Sequence, residues 1–120
     1  MSDGKSIVAE KSFSFSLKVI KLYKELISVN EYVISRQLLR SATSIGANIE
    51  EALAGQTKKD FAAKMSIASK EAREARYWLK LLQASQFIVK DYTEYVKDIE
   101  ELVSMLTAIV KTTQSNLRNN

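Results

Sequence analysis

Residues 57–82 read TKKDFAAKMSIASKEAREARYWLKLL, and the fold turns on this stretch. Phe61, Met65, Ala68, Ala72, Ala75, Leu79 and Leu82 stand alternately four and three apart, which lines them along one seam of an α-helix. Ile67, Trp78 and Leu81 fall on a second flank, outside that seam. Thr57-Lys58-Lys59-Asp60 resembles a capping box with Asp in the usual Glu place, so the helix is predicted to open at 58 and run to about 85.

The same reading extends in both directions. Ser85 to Lys90 breaks the period, and Phe87 and Ile88 are expected to fold back over the core. Asp91-Tyr92-Thr93-Glu94 reads as a second capping box for a helix over about 91–118. That helix carries Tyr92, Val96, Ile99, Val103, Leu106, Val110 and Leu117 in one stripe, with Leu102 and Ile109 at its edge. Residues 116–120 should fray. Toward the N-terminus, Gly55 reads as the stop of a helix over about 31–54, with Asn30 as its N-cap. Its core stripe is Ile34, Leu38, Ala42, Ile45, Ile49 and Leu53. Ser41, Thr43, Ser44, Gly46 and Ala47 keep its other faces small, so a neighbouring backbone can come close. A first helix is predicted over about 12–29, capped by Ser12. Phe13, Leu17, Ile20, Tyr23 and Ile27 recur on one face, and Phe15, Val19, Leu22 and Leu26 fill the adjacent flank. Lys18, Lys21 and Glu25 mark its solvent side. The apolar arc covers well over half the circumference, more than one face packed on a bundle needs.

The 120 residues include no Pro, no Cys, no His and three Gly; 46% are apolar and 27% charged. A chain of this length and composition forms one domain, spanning residues 1–120, and the absence of Pro suits long helices. Without His or Cys there is no Ser-His-Asp triad, zinc-thiolate site or Glu-x-x-His di-iron motif, so neither an enzyme nor a cofactor or metal is expected. No apolar run is long enough to span a bilayer, and residues 1–9 lack the apolar core of a signal peptide. A cytoplasmic protein with no membrane partner is therefore expected. Four helices with short connections predict an all-α, up-down-up-down antiparallel four-helix bundle.

One run carries a resemblance. Gln37-Leu38-Leu39-Arg40-Ser41-Ala42-Thr43-Ser44-Ile45-Gly46-Ala47-Asn48-Ile49-Glu50-Glu51 resembles the signature of the bacterial four-helix proteins encoded in intervening sequences of 23S ribosomal RNA genes. Phe61, Met65-Ser66-Ile67-Ala68, Glu71 and Tyr77-Trp78-Leu79 are similar to that family's third helix, and Lys11-Ser12-Phe13 with Tyr23-Lys24-Glu25-Leu26 to its first. Ala52 stands where the family usually has Gly, which would let the second helix run on to Gly55. The resemblance implies a four-helix protomer and, as in known relatives, a homopentameric ring or barrel, with no established enzymatic activity. It also implies a distant kinship with the accessory variability determinant of diversity-generating retroelements, a basic pentamer that binds nucleic acid and a reverse transcriptase.

The net charge is +4 and the pI about 9.3. Residues 58–86 hold seven basic and three acidic residues, a surplus equal to that of the whole chain. On a helical wheel Lys59, Lys70, Arg73, Arg76 and Lys80 cluster around Tyr77, with Asp60, Glu71 and Glu74 on another flank. Cations interleaved with an aromatic suit a phosphate backbone and stacked bases, of RNA or of DNA; an ordinary solvated face is the other reading. Arg40, Ser44, Asn48 and Glu51 share one flank of the second helix. They read as interhelical or intersubunit polar contacts, with Asn48 fixing register, more readily than as a ligand site. Arg40 and Glu51 lie too far apart to pair with each other, so each needs a partner elsewhere. Glu71 and Glu74 read as a solvated or interface face carrying a Lys70–Glu74 pair. Ile67, Trp78 and Leu81 read as an oligomer contact. The expected function is that of a homo-oligomer binding nucleic acid weakly, or else of an adaptor holding a protein partner such as a reverse transcriptase.

Overall fold

The computed structural model describes residues 4–119 as α1 (Gly4–Ser28), α2 (Ile34–Leu53), α3 (Lys58–Ser85) and α4 (Thr93–Arg118), with no strand among them. α1 packs against α2 and α4, and α3 packs against the same two. The segment 116–120 expected to fray is helical through Arg118; Asn120, like Met1–Asp3 among the first residues, lies outside the described residues.

The α3 seam is the core as read. Met65, Ala68, Ala72, Ala75, Leu79 and Leu82 are buried, Phe61 is half-buried, and the Thr57 hydroxyl accepts the Asp60 amide at 3.0 Å. α4 contributes Tyr92, Ile99, Leu102, Val103 and Leu106, and α2 contributes Leu38, Ala42, Ile45, Ile49 and Ala52.

α1 corrects the sequence reading. It starts eight residues before Ser12, which is buried inside the helix and donates its hydroxyl to Ala9 O at 2.9 Å. Val8, Ser12, Phe15, Val19, Leu22 and Leu26, alternately four and three apart, are its buried seam. The flank is therefore the core, while Phe13 stays 68% and Leu17 52% exposed. Lys18 does not mark a solvent side either; it bridges to α4.

The turns also work differently from their expected roles. Asn30 does not cap α2: it takes a left-handed conformation (φ 67°) and terminates α1, with Asn30 N–H on Ile27 O at 3.0 Å and Glu31 N–H on Leu26 O at 2.9 Å. The cap of α2 is the Glu31 carboxylate, which accepts the amides of Val33, Ile34 and Ser35 at 3.1, 3.0 and 2.6 Å. A carboxylate at a helix N-terminus satisfies free donors and opposes the helix dipole. Glu31→Ala should destabilise the fold by about 1–2 kcal/mol, measured by urea unfolding, with Glu31→Asp recovering part of it. α2 ends near Gly55 as expected, but no glycine there has positive φ; the end closes through Gly55 N–H on Ala52 O at 3.1 Å. At the start of α4 the Asp91 carboxylate accepts the Thr93 amide at 2.9 Å, while Glu94 turns to Lys18 instead of completing a capping box. Ile88 packs on the core, but Phe87 does not fold back and is 55% exposed.

The small face of α2 receives α1. A Cβ on Gly46 would sit 3.3 Å from the Ser12 hydroxyl, and the Ser16 hydroxyl donates to Ala42 O at 3.2 Å. The opposite flank of α1 meets α4 through charge. Lys11 pairs with Glu101, and Lys18 with Glu94 and with Asp98 at 2.7 Å, around a cleft of about 240 Å³. Hydrogen bonds from Lys18 and Lys11 hold Glu94 and Glu101 below the usual carboxylate range, and those that Lys18 donates to Asp98 and Glu94 raise it above the usual lysine range. Carboxylates with lowered folded values stabilise above their unfolded range and lose that contribution as pH falls through the folded values. Lys18, raised, contributes until pH climbs beyond the ordinary lysine range. The melting temperature should therefore fall from neutral pH toward pH ~3, and Lys18→Met should flatten that acid limb while lowering the neutral plateau.

Candidate nucleic-acid interface on the third helix

The outward side of α3 is set by its seam: with alternate fours and threes buried, Lys59, Lys70, Arg73, Tyr77 and Lys80 are left facing water. Lys59, Lys70 and Arg73 are exposed and have no ion-pair partner among the described residues. Tyr77 is 57% exposed, held edge-on against Trp78 with ring centroids 5.1 Å apart. A rigid neighbour limits the rotamers the phenol must lose when a base stacks on it.

Two of the expected cations are engaged elsewhere. Arg76 is half-buried and its guanidinium lies 3.8 Å from Glu100 of α4; Lys80 lies at the same distance from the same carboxylate. These are loose pairs, so Lys80, on the exposed side, remains available at its tip. Arg76 belongs to the α3–α4 seam. The stripe is thus narrower than the wheel implied: Lys59, Lys70, Arg73 and Tyr77 form its free part, with Lys80 at one end.

The acids that would cancel this charge are drawn to the other side. Arg40 of α2 reaches Glu71 at 3.3 Å and Glu74 at 2.8 Å, and Lys64 reaches Glu51 at 2.9 Å. Glu74 therefore pairs with Arg40 and not with Lys70. Arg40 and Glu51 each find their partner on α3, across the helix interface. Asn48 does not cross it; its amide donates at 2.9 Å to Ser44 O and at 3.2 Å to the Ser44 hydroxyl, both one turn back on α2. Trp78 and Leu81 are half-buried, Trp78 packing on the core, while Ile67 stays exposed. Sequence reading left open which apolar row of α1 faces water: it is the one with Phe13 and Leu17, and Phe13 borders a groove of about 270 Å³ lined also by Ala9, Ser12, Gly46 and Ala47. The regular four-three spacing of Val8 through Leu26 was the signal that would have decided it.

Among the described residues no group of three or more His, Cys, Asp or Glu side chains is placed to hold a metal ion, and no helix is long and apolar enough to cross a membrane.

Residues 4–108 match the family model described as 23S rRNA-intervening sequence protein. The chain belongs to that family. A solved structure supports the assignment: a protein of unknown function from the S23 ribosomal protein family of Bacteroides thetaiotaomicron VPI-5482 is 41% identical and superposes with a TM-score of 0.85, over 91% of this chain and 99% of that one. No curated protein matches the chain.

Proposed function

We propose that this 23S rRNA-intervening sequence protein is a non-enzymatic, cytoplasmic homo-oligomer, a pentamer, that binds RNA or DNA through the outward face of α3. The observation that carries the reading is the separation of charge on α3: Arg40 takes up Glu71 and Glu74 on one flank, leaving Lys70, Arg73 and Lys59 without an ion-pair partner among the described residues, beside an exposed Tyr77. Such contacts neutralise phosphates and release counterions, so binding is weak, broad in sequence and steeply dependent on salt. The protomer is an up-down-up-down bundle. Lys11 pairs with Glu101 while Lys18, further along α1, pairs with Glu94; Arg40 with Glu71 and Lys64 with Glu51 give the same opposed sense for α2 and α3.

The exposed Phe13 beside the small-residue groove, with the exposed Leu17 four residues on, favours assembly of copies through α1 and α2. The same face suits a foreign apolar partner, which is the adaptor reading. Retention of single-stranded RNA and DNA by the protein at low salt, with affinity falling linearly in log salt, tests the nucleic-acid reading; no retention at low salt leaves the adaptor.

A further inference from the structure

Helix connections are usually polar because they run through water. Here the two connections at one end of the bundle are not. Val29, Tyr32 and Val33 between α1 and α2, and Phe87 and Val89 between α3 and α4, are all exposed, Val33 by 73% and Val89 by 90%. The Lys90 ammonium, 3.3 Å from the Glu25 carboxylate, ties the second connection to the end of α1, so the five side chains share one end of the molecule. The α2–α3 connection at residues 54–57 is Ala-Gly-Gln-Thr, small and polar.

This end is built rather than slack. Each connection contains a non-glycine residue in the left-handed region, Asn30 at φ 67° and Gln86 at φ 48°. Asn30 is held by the Tyr32 hydroxyl donating to its side-chain oxygen at 2.9 Å, and Gln86 by side-chain bonds with Gln83 O and with the Lys90 amide at 2.8 and 3.2 Å. Its carboxylates are all engaged: Glu25 with Lys90, Glu31 with three amides of α2, Asp91 with the Thr93 amide, and Glu94 with Lys18. Lys24 has no acidic partner among the described residues, and Arg36 stacks over Tyr32 with its guanidinium 5.6 Å from the ring centre. Protruding apolar tips, an aromatic with a polar end, and, among the described residues, two cations without an acidic partner and no unengaged carboxylate match the chemistry of a phospholipid interface.

We propose that this end of the bundle docks on a phospholipid surface, with Val33, Phe87 and Val89 entering the acyl boundary and Lys24 and Arg36 meeting lipid phosphates. The expectation of no membrane partner considered only spanning segments; this contact needs none. A second copy fits the end less well. The molecule measures 51 × 27 × 21 Å, and an end of the two smaller dimensions offers less than the ~800 Å² per partner of a standard interface. Two such ends would also bring Lys24 and Arg36 toward their own copies.

The test is co-sedimentation of the full chain with vesicles of phosphatidylcholine alone and of phosphatidylcholine mixed with phosphatidylglycerol. The parent should sediment with both and more with the mixed vesicles. Val33→Asp with Val89→Asp, at positions already in water, should keep its helical circular dichroism and lose at least about tenfold in vesicle affinity. Lys24→Ala with Arg36→Ala should lose affinity chiefly for the mixed vesicles. Lys70→Glu with Arg73→Glu, which tests the nucleic-acid face, should sediment as the parent does, so the two readings fail separately. No sedimentation of the parent with either vesicle overturns the proposal, as does binding unchanged by the two Asp substitutions or lost only in the α3 variant. Loss of self-association in the Asp variant, without any vesicle binding by the parent, would assign this end to a protein contact instead.

Discussion

Phe13→Asp combined with Leu17→Asp should turn the assembled protein into free protomers at micromolar concentration. Both side chains already stand in water in the protomer, so the substitution removes nothing from its core and the far-ultraviolet circular dichroism should hold. What it removes is the apolar surface that a neighbouring copy would cover. Burying a Phe or a Leu contributes about 1.5–3 kcal/mol each, and an unpaired carboxylate in its place adds a desolvation cost. The combined effect on each contact exceeds about 4 kcal/mol, a shift of roughly a thousandfold in the dissociation constant. Light scattering of the parent should give a closed oligomer near five protomers, and of the variant a single protomer. A parent that is monomeric at micromolar concentration sinks the assembly reading outright.

What the sequence disclosed, and what it hid, follows from how each signal is written. α3 was legible because its seam positions are all apolar and its cap is a Thr three residues before an Asp; both signals are local. α1 was hidden by one residue. Ser12 occupies a buried seam position and read as an N-cap, so the stripe from Val8 to Leu26 was cut short, and the two apolar rows of α1 stood unranked. Hydrophobicity alone could not order the two rows, because assembly surfaces and cores draw on the same side chains. The charged pairs were partly legible. That Arg40 and Glu51 needed partners off their own helix followed from helical rise; that those partners were Glu71, Glu74 and Lys64 required the packing of α2 on α3. Asn48 illustrates the converse. Its bonds to Ser44 stay within one turn, so Asn48→Ala should cost no more than about 1 kcal/mol, well short of a register device.

The α3 face yields the other large effect. Lys70→Glu with Arg73→Glu should lower affinity for single-stranded RNA and DNA by on the order of 100-fold at low salt, leaving helicity and oligomer size intact. Neither side chain has a partner to lose among the described residues, so the fold does not depend on their charge. Each reversal removes one phosphate contact and adds one repulsion; the log–log salt slope should flatten by about two units in consequence. Lys80→Glu should do less than either, because Glu100 already shares its charge and would be released by the loss. Arg76→Glu is the contrasting case: with its guanidinium turned to Glu100 at the α4 seam, its reversal should cost stability before it costs binding. Tyr77→Ala separates stacking from charge. Only unpaired bases reach the ring, so single strands should lose about 1–3 kcal/mol and duplexes much less. A ring would present the stripe in several copies, and joint engagement of one strand would raise avidity without a new contact. The two α1 substitutions should then weaken binding as well, through lost copies alone. If the charge-reversed protein binds as tightly as the parent at low salt, the stripe is a solvated face, and the exposed surface of α1 is left to hold a protein partner.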